Sequence, residues 1–120
     1  MIPAGSSAIL APVHLPQGAE IKNVSIRFID NNPNFGSDIN FFLYRGTVEG
    51  TGVQEILSTS SINFFSSPQT QQVVTAPKVG KSRIDNKNFF YHLSVNSPKW
   101  PGNSSLVYVS AVIEWTFPAP

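Results

Sequence analysis

Residues 11–28, APVHLPQGAEIKNVSIRF, decide the fold because they place a Pro/Gly corner between two extended segments. In the corner, Pro16 presets φ and Gly18 permits a positive φ, so the chain can reverse its direction within a few residues. Two β-strands, at about 7–13 and 20–29, are therefore predicted on either side of a tight turn.

The second of these segments carries a clear strand pattern. Val24, Ile26 and Phe28 alternate with Ser25 and Arg27. Because successive side chains of a strand point to opposite faces, the three apolar residues are predicted to face a core and the two polar residues to face solvent.

Similar runs rich in Val, Ile, Phe, Tyr and Thr recur along the chain between clusters of Asn, Ser, Gly and Pro. Ten Pro and eight Gly are spread so widely that no long window free of them has apolar positions at helical spacing. Further strands are predicted over residues 39–45, 53–62 (as one or two weaker strands), 70–76, 88–95 and 105–117. This pattern predicts an all-β fold, an antiparallel, jelly-roll-like β-sandwich of seven to eight strands.

Two of the predicted strands are apolar on both faces. Phe42 and Tyr44 lie opposite a second apolar set in one strand, and Phe90 and His92 do so in another. A strand of this kind is either central in its sheet or covered by a neighbouring subunit. The longest run, 105–117, is expected to lie centrally in its sheet, with Ala111 on one face and Tyr108 on the other.

The length of 120 residues fits a single domain over residues 1–120, large enough to bury a core without disulfides. The sequence has no internal repeat and no low-complexity tail. Its ends, at about 1–6 and 118–120, are expected to be loosely held.

The composition excludes several kinds of partner. Charged residues make up 12% of the chain against a usual share of about 25%, and the scattered charges sum to +1. No nucleic-acid partner is expected from so weak a field. No run approaches the roughly 18 apolar residues of a spanning helix, so no membrane insertion is expected. The absence of Cys excludes disulfides and thiolate metal sites.

The start of the chain, residues 1–7, lacks the charged and apolar parts of a signal peptide. The chain is therefore expected to be cytoplasmic or viral, or to be a mature segment whose leader was replaced by Met1.

Several segments together resemble a group of bacterial, secreted β-sandwich domains of uncertain function. The segments that carry the resemblance are 11–21, 30–32, 39–45, 84–93 and 111–116. The resemblance implies a β-sandwich fold and an extracellular or cell-surface location, and it implies nothing about an activity.

The loop at 30–38 is rich in oxygen ligands of the kind that calcium prefers. Its candidate ligands are Asp30, Asn32, Asn34 and Asp38. The loop lacks the spaced acidic pattern of a known calcium loop, and Asx turns use the same residues to satisfy their own backbone. The interpretation as Asx turns is therefore favoured over calcium binding, and no other cofactor is expected.

No assembled catalytic group is evident. There is no Gly-x-Ser-x-Gly elbow, and His14 and His92 have no further metal ligand near them in sequence. Asp85 and Glu114 could meet across a sheet as a glycosidase pair. Asp85 is more simply a backbone cap, and Glu114 more simply faces solvent or pairs with Arg27 or Arg83. The chain is predicted not to be an enzyme.

Aromatic side chains offer a possible sugar site, because a flat apolar ring stacks on the C–H face of a pyranose. Trp100, in a Pro/Gly-rich loop, is the first candidate ligand-binding residue, and Tyr44 with Asn40 is the second. Trp115 lies in a regular strand and is predicted to be core.

The low charge and the doubly apolar strands favour an extracellular structural module that self-assembles as a homo-oligomer, such as a trimer. The predicted interface residues are Phe42, Tyr44, Phe90 and His92. A viral capsid or fibre-head domain is a variant of this hypothesis. The alternative is a carbohydrate-binding module that uses loop aromatics.

Overall fold

A computed structural model describes residues 5–31, 39–61, 67–100 and 106–118, of which 5–8, 67–69, 98–100, 106 and 109 are described by their backbone alone. The described strands are β1 (Gly5–Val13), β2 (Glu20–Asp30), β3 (Asn40–Thr47), β4 (Val53–Ser60), β5 (Ser67–Thr75), β6 (Phe89–Trp100) and β7 (Leu106–Thr116). All pairings between them are antiparallel, which confirms the predicted all-β sandwich. The described residues include no helix that is long and apolar enough to cross a membrane. Most of the predicted loose ends lie outside the described residues.

The strands form two sheets, one with the order β1-β6-β3-β4 and one with the order β5-β2-β7. Among the described strands, β3 and β4 are the one consecutive pair that are also neighbours in a sheet. Strands that are distant in sequence therefore pair, and β1 runs beside β6 from Ser7↔Ser97 to Val13↔Tyr91. Of the two alternatives for the strand around 39–45, the structure shows the central position, because β3 lies between β6 and β4.

The core lies between the two sheets. β2, β3 and β6 supply the middle of the core because each of these strands has a neighbour on both sides. The inward set predicted for β2, Val24, Ile26 and Phe28, is buried, as are Phe41 and Leu43 of β3. Burial of each such side chain contributes about 1.5–3 kcal/mol relative to exposure.

Two register shifts between β2 and β7 change which residues face the core. At the first shift, Ile21 pairs with Trp115 but Asn23 pairs with Glu114, so that Ile21 and Val24 are both buried. An extra residue in one strand of a pair reverses the alternation beyond it. Ile21 thereby joins the core although it is three residues from Val24.

The second shift corrects one sequence-based prediction. Strict alternation over 105–117 places Tyr108 on the face opposite to Ala111, and this is wrong. Phe28 pairs with Tyr108 while Arg27 pairs with Ser110, so β7 has one extra residue at this point. Tyr108 therefore packs against the core together with Ala111.

The predicted strand positions also need correction. The run 105–117 was expected to be central, but β7 is an edge strand with β2 as its neighbour. Apolar content did not decide the strand order here, since the pairing depends on partners far away in sequence. The weak region 53–62 forms the single strand β4, and the strand predicted at 88–95 continues as β6 to Trp100.

The predicted Pro/Gly corner is confirmed. Gly18 has φ 82°, and the Ala19 N–H donates to the Pro16 carbonyl oxygen at 3.1 Å. The Gly18 N–H donates to the Ile84 carbonyl oxygen, and the Ile84 N–H donates to the Ala19 carbonyl oxygen. The corner is thereby fixed to the connection that leads into β6.

Candidate functional site

The candidate site lies on the outer face of the four-stranded sheet, which points away from the core. Four rings from β3 and β6 form a continuous row on this face, here called the aromatic ladder: Phe42, Tyr44, His92 and Phe90. The ring centroids are 5.4 Å apart for Phe42 and Tyr44, 5.3 Å for Tyr44 and His92, and 6.0 Å for His92 and Phe90. Because Tyr44 and His92 are cross-strand partners, the row passes from one strand to the next. The structure thus brings together the four residues predicted for an oligomer interface.

The position of Phe90 depends on a glycine in the neighbouring strand. Gly46 is the cross-strand partner of Phe90, and a Cβ atom at Gly46 would lie 2.5 Å from the Phe90 Cζ atom. The absence of a side chain therefore lets the ring lie directly on the β3 backbone. Phe90 nevertheless keeps 51% of its surface exposed, so one side of the ring remains available to another molecule.

His92 occupies the middle of the ladder and contains an unsatisfied polar atom. Its Nδ1 atom is buried and has no hydrogen-bond partner among the described residues. Leaving a buried polar atom unpaired costs about 1–3 kcal/mol. The ladder therefore contains one ring nitrogen whose hydrogen-bonding capacity the described part of the chain does not use.

A groove of about 630 Å³ adjoins the ladder at the end where β6 begins. Exposed or partly exposed side chains that line it include Leu10, Pro12, His14, Val48, Phe90 and His92. Its volume falls in the range of small-molecule sites, about 300–1,000 Å³. Sequence reasoning missed two residues of this site, Gly46 and Leu10, of which Leu10 is 69% exposed. For Gly46 a signal was present, because a glycine in a strand often marks a place where another group approaches the backbone closely.

Asn86 lines the groove from the turn before β6 and is held in place by the opposite corner. Its side-chain Nδ2 donates to the Leu15 carbonyl oxygen at 2.8 Å, and its backbone N–H donates to Gln17 Oε1 at 2.6 Å. These bonds fix one wall of the groove to the Pro/Gly corner.

The outer face of the three-stranded sheet has a different character. It is mostly polar, with single exposed valines at Val74 and Val112. Across the sheet, Asn23 donates to Glu114 Oε2 at 3.2 Å. Further residues of this face include the polar Ser25, Arg27, Gln72 and Ser110 and, at one end, the partly buried pair Ile29 and Val107. A continuous aromatic surface is therefore a property of one sheet face, within the described residues.

The structure separates the residues predicted for sugar binding. Trp100 was predicted to lie in a loop, but it is the last residue of β6, where it pairs with Gly5, and its side chain lies outside those described. Tyr44 belongs to the aromatic ladder, and Asn40 is half-buried on the same face at the far end of β3. Trp115 packs against the core, as predicted, and also contacts Phe117 edge-on at 5.3 Å.

Of the four calcium candidates, Asp30 is described, whereas Asn32, Asn34 and Asp38 lie outside the described residues. Asp30 is fully buried, and Ser61 Oγ donates to its Oδ2 atom at 2.6 Å. The Ile39 N–H donates to Ser61 Oγ at 2.8 Å. Asp30 therefore joins the end of β2 to the start of β3 and the end of β4, and calcium binding stays an untested prediction.

The two carboxylates considered as a glycosidase pair have separate structural partners. Asp85 accepts from the Asn88 side chain at 2.8 Å and from the Lys87 N–H at 3.2 Å, as predicted for a cap. The hydrogen bond from Asn88, followed by that from Lys87, lowers the pKa of Asp85. Glu114 is exposed and accepts a hydrogen bond from the Asn23 side chain. Arg83, one of its two predicted partners, lies 3.9 Å from the Glu20 carboxylate instead.

Comparison of the chain with protein-family models, with curated proteins and with solved structures gives no match. The resemblance to secreted β-sandwich domains therefore stays a prediction.

Proposed function

We propose that this protein is a non-enzymatic, extracellular or cell-surface structural module that assembles with further copies of itself through the aromatic ladder. The observation that carries the proposal is the difference between the two outer faces. One face presents four contiguous rings, and the other presents mainly polar side chains.

The proposal is supported by the free energy that would be gained if another copy covered the exposed apolar side chains of the ladder. A contiguous apolar surface rimmed by polar residues is typical of a protein–protein interface. Covering a large apolar side chain contributes about 1.5–3 kcal/mol, and Phe90 is more than half exposed. Aromatic residues are also enriched in interface cores. A closed homo-oligomer such as a trimer would place copies of the ladder against one another.

The experiment is a mass measurement by light scattering at micromolar protein concentration. We expect a multiple of the 13.1 kDa chain mass for the wild type. Tyr44→Ser and Phe90→Ser should lower this mass, and Val74→Ser on the polar face, at the exposed residue of β5, is the matched control, which should leave it unchanged. Thermal melts establish that each variant is folded. A wild type of 13.1 kDa would refute the proposal.

A second candidate function, carbohydrate binding, is favoured by the groove beside Phe90. An exposed ring forms one wall, and His14 and Asn86 bring polar groups to the same space. Protein sites for sugars combine an apolar platform with a few such polar groups.

The two candidates are separated by a glycan array with the wild type and Phe90→Ser. Carbohydrate binding requires signals for defined glycans that the variant loses. An array without signals for the wild type would reject this candidate and leave self-assembly in place.

A further inference from the structure

We infer that the lateral side of the sandwich bounded by β1 and β7 binds a second copy of this chain, with β1 pairing antiparallel to β1 of the other copy. The inference shares self-association with the proposed function but uses a different surface, the strand edges rather than the aromatic ladder. We call this side, formed by the free edges of β1 and β7, the open side. The opposite side, where the edge strands β4 and β5 contact each other, is the closed side.

The closed side shows how this protein protects an edge strand. The Lys78 N–H donates to the Ile56 carbonyl oxygen of β4 at 2.8 Å, and the Lys81 amine lies 3.4 Å from the Glu55 carbonyl oxygen. The Lys78 side chain also forms an ion pair with Glu55 at 2.7 Å. Covering segments and lysines are the usual means of preventing edge pairing. Behind this edge, Ile56 is fully buried.

The open side lacks comparable protection among the described residues. No described backbone group outside β6 bonds to β1, and none outside β2 bonds to β7. Several side chains of these strands that point toward the core are only partly buried, and Ile9 is 40% exposed. The other partly buried, core-facing members of these two strands are Val13, Tyr108, Ala111, Ile113 and Trp115. The core is therefore incompletely covered at this side.

The geometry of β1 indicates that the segment bound at its free edge is an extended strand. Pro12 has no N–H to give, and proline is accommodated in a sheet where its nitrogen faces the free edge. Backbone groups alternate between the two edges of an antiparallel strand. Leu10 and Ala8, which are in phase with Pro12, therefore direct their N–H and C=O groups to the open edge. A row of such groups binds the backbone of another strand.

The charge pattern and the area favour a second copy as this strand. Residues Gly5–Val13 include no charged side chain, so two antiparallel copies of β1 place no like charges opposite each other. A two-fold axis through this edge also brings the two β7 strands together. A side about 30 Å long, the length of β1, and about 20 Å thick, close to the 21 Å smallest extent of the molecule, would bury up to about 600 Å² per copy, or up to about 1,200 Å² in total. This total reaches the lower limit of stable specific interfaces, about 1,200 Å².

The absence of cysteine allows a direct test, because any introduced cysteine is unique. Single variants Ala8→Cys, Leu10→Cys and Pro12→Cys are oxidised at micromolar concentration, with Val74→Cys on the closed-side strand β5 as control. A disulfide requires Cα atoms about 4.4–6.8 Å apart. We expect disulfide-linked dimers to peak at one β1 position, the one nearest the two-fold axis, with no dimer for the control. Equal cross-linking at β1 and at Val74 would overturn the inference.

A second measurement separates this inference from the proposed function. Leu10→Pro removes an outward N–H without removing a bond to β6. If the proline variant does not fold, Leu10→Lys is used in its place and puts two lysines near the two-fold axis. The inference requires the native mass to fall twofold for either variant. An unchanged mass together with a lower mass for Tyr44→Ser would overturn the open-side interface and leave the ladder proposal standing. The reverse pattern would support the open side and refute the ladder, and a monomeric wild type would refute both.

Discussion

The closed side and the open side of this sandwich show two ways of ending a sheet. Both end in edge strands that carry apolar residues, yet the core-facing Ile56 of β4 is fully buried and the core-facing Ile113 of β7 is only partly buried. The difference comes from a segment outside the sheets. The connection that follows β5 returns across β4, where Lys78 bonds to Ile56. The comparison shows that an edge strand is protected by what covers it and not by its own composition.

The largest expected effect comes from a matched pair of substitutions on the two sides. Ile56→Ala leaves a cavity in a sealed part of the core and should lower the free energy of unfolding by about 2–5 kcal/mol. Ile113→Ala removes a side chain that is already partly solvated and should cost about 1–2 kcal/mol in the dilute protein.

Urea denaturation of both variants at nanomolar and at micromolar concentration checks this prediction. If a second copy covers the open side, the loss in the free energy of unfolding caused by Ile113→Ala should grow with protein concentration. The loss caused by Ile56→Ala should not. Equal losses for the two variants at low concentration would contradict the distinction between the sides.

A smaller effect is expected at the buried polar contact where the ends of β2 and β4 meet. Ser61→Ala removes the hydroxyl that donates to Asp30 and accepts from the Ile39 N–H. The Ile39 N–H loses a buried acceptor, so we expect a loss of about 1–3 kcal/mol in the free energy of unfolding. Ser58→Ala is the control, at an exposed position of β4 where the hydroxyl bonds to Glu55, and it should change the free energy of unfolding by less than about 0.5 kcal/mol. Similar losses for the two serines would show that the buried contact adds nothing.

The smallest effect concerns the ion pair that covers the closed edge. The hydrogen bond from Lys78 is the main cause that lowers the pKa of Glu55 below its ordinary value of 4.5. A carboxyl group with a lowered folded-state pKa stabilises the protein above its unfolded pKa and loses this contribution as the pH falls through the folded-state pKa. Lys78→Met should therefore cost about 0.2–1 kcal/mol at pH 7 and almost nothing well below pH 4.5. Urea midpoints at pH 7 and pH 3 measure it, and a cost that persists at pH 3 would show that the loss comes from packing.

Much of the fold could be predicted from local pattern. The alternation of Val24, Ile26 and Phe28 identified the buried face of β2, and Pro16 with Gly18 identified the corner, because both signals depend on neighbouring residues alone. The candidate ladder could be predicted in part, since Phe42 and Tyr44 stand opposite a buried set in their own strand. Its continuity across β3 and β6 could not, because it depends on the pairing of Tyr44 with His92, which are far apart in sequence.

The sequence by itself determined that this chain forms extended strands around one core and that it has more apolar strand surface than a single inner face requires. Period-2 alternation and turn residues act over a few positions, so they can be read without the fold. Only the tertiary structure decided which strands are edges, that β7 lies at one of them, and that the lysines after β5 cover β4. These features depend on which distant segments meet, and the chain specifies that through the packing of the whole core.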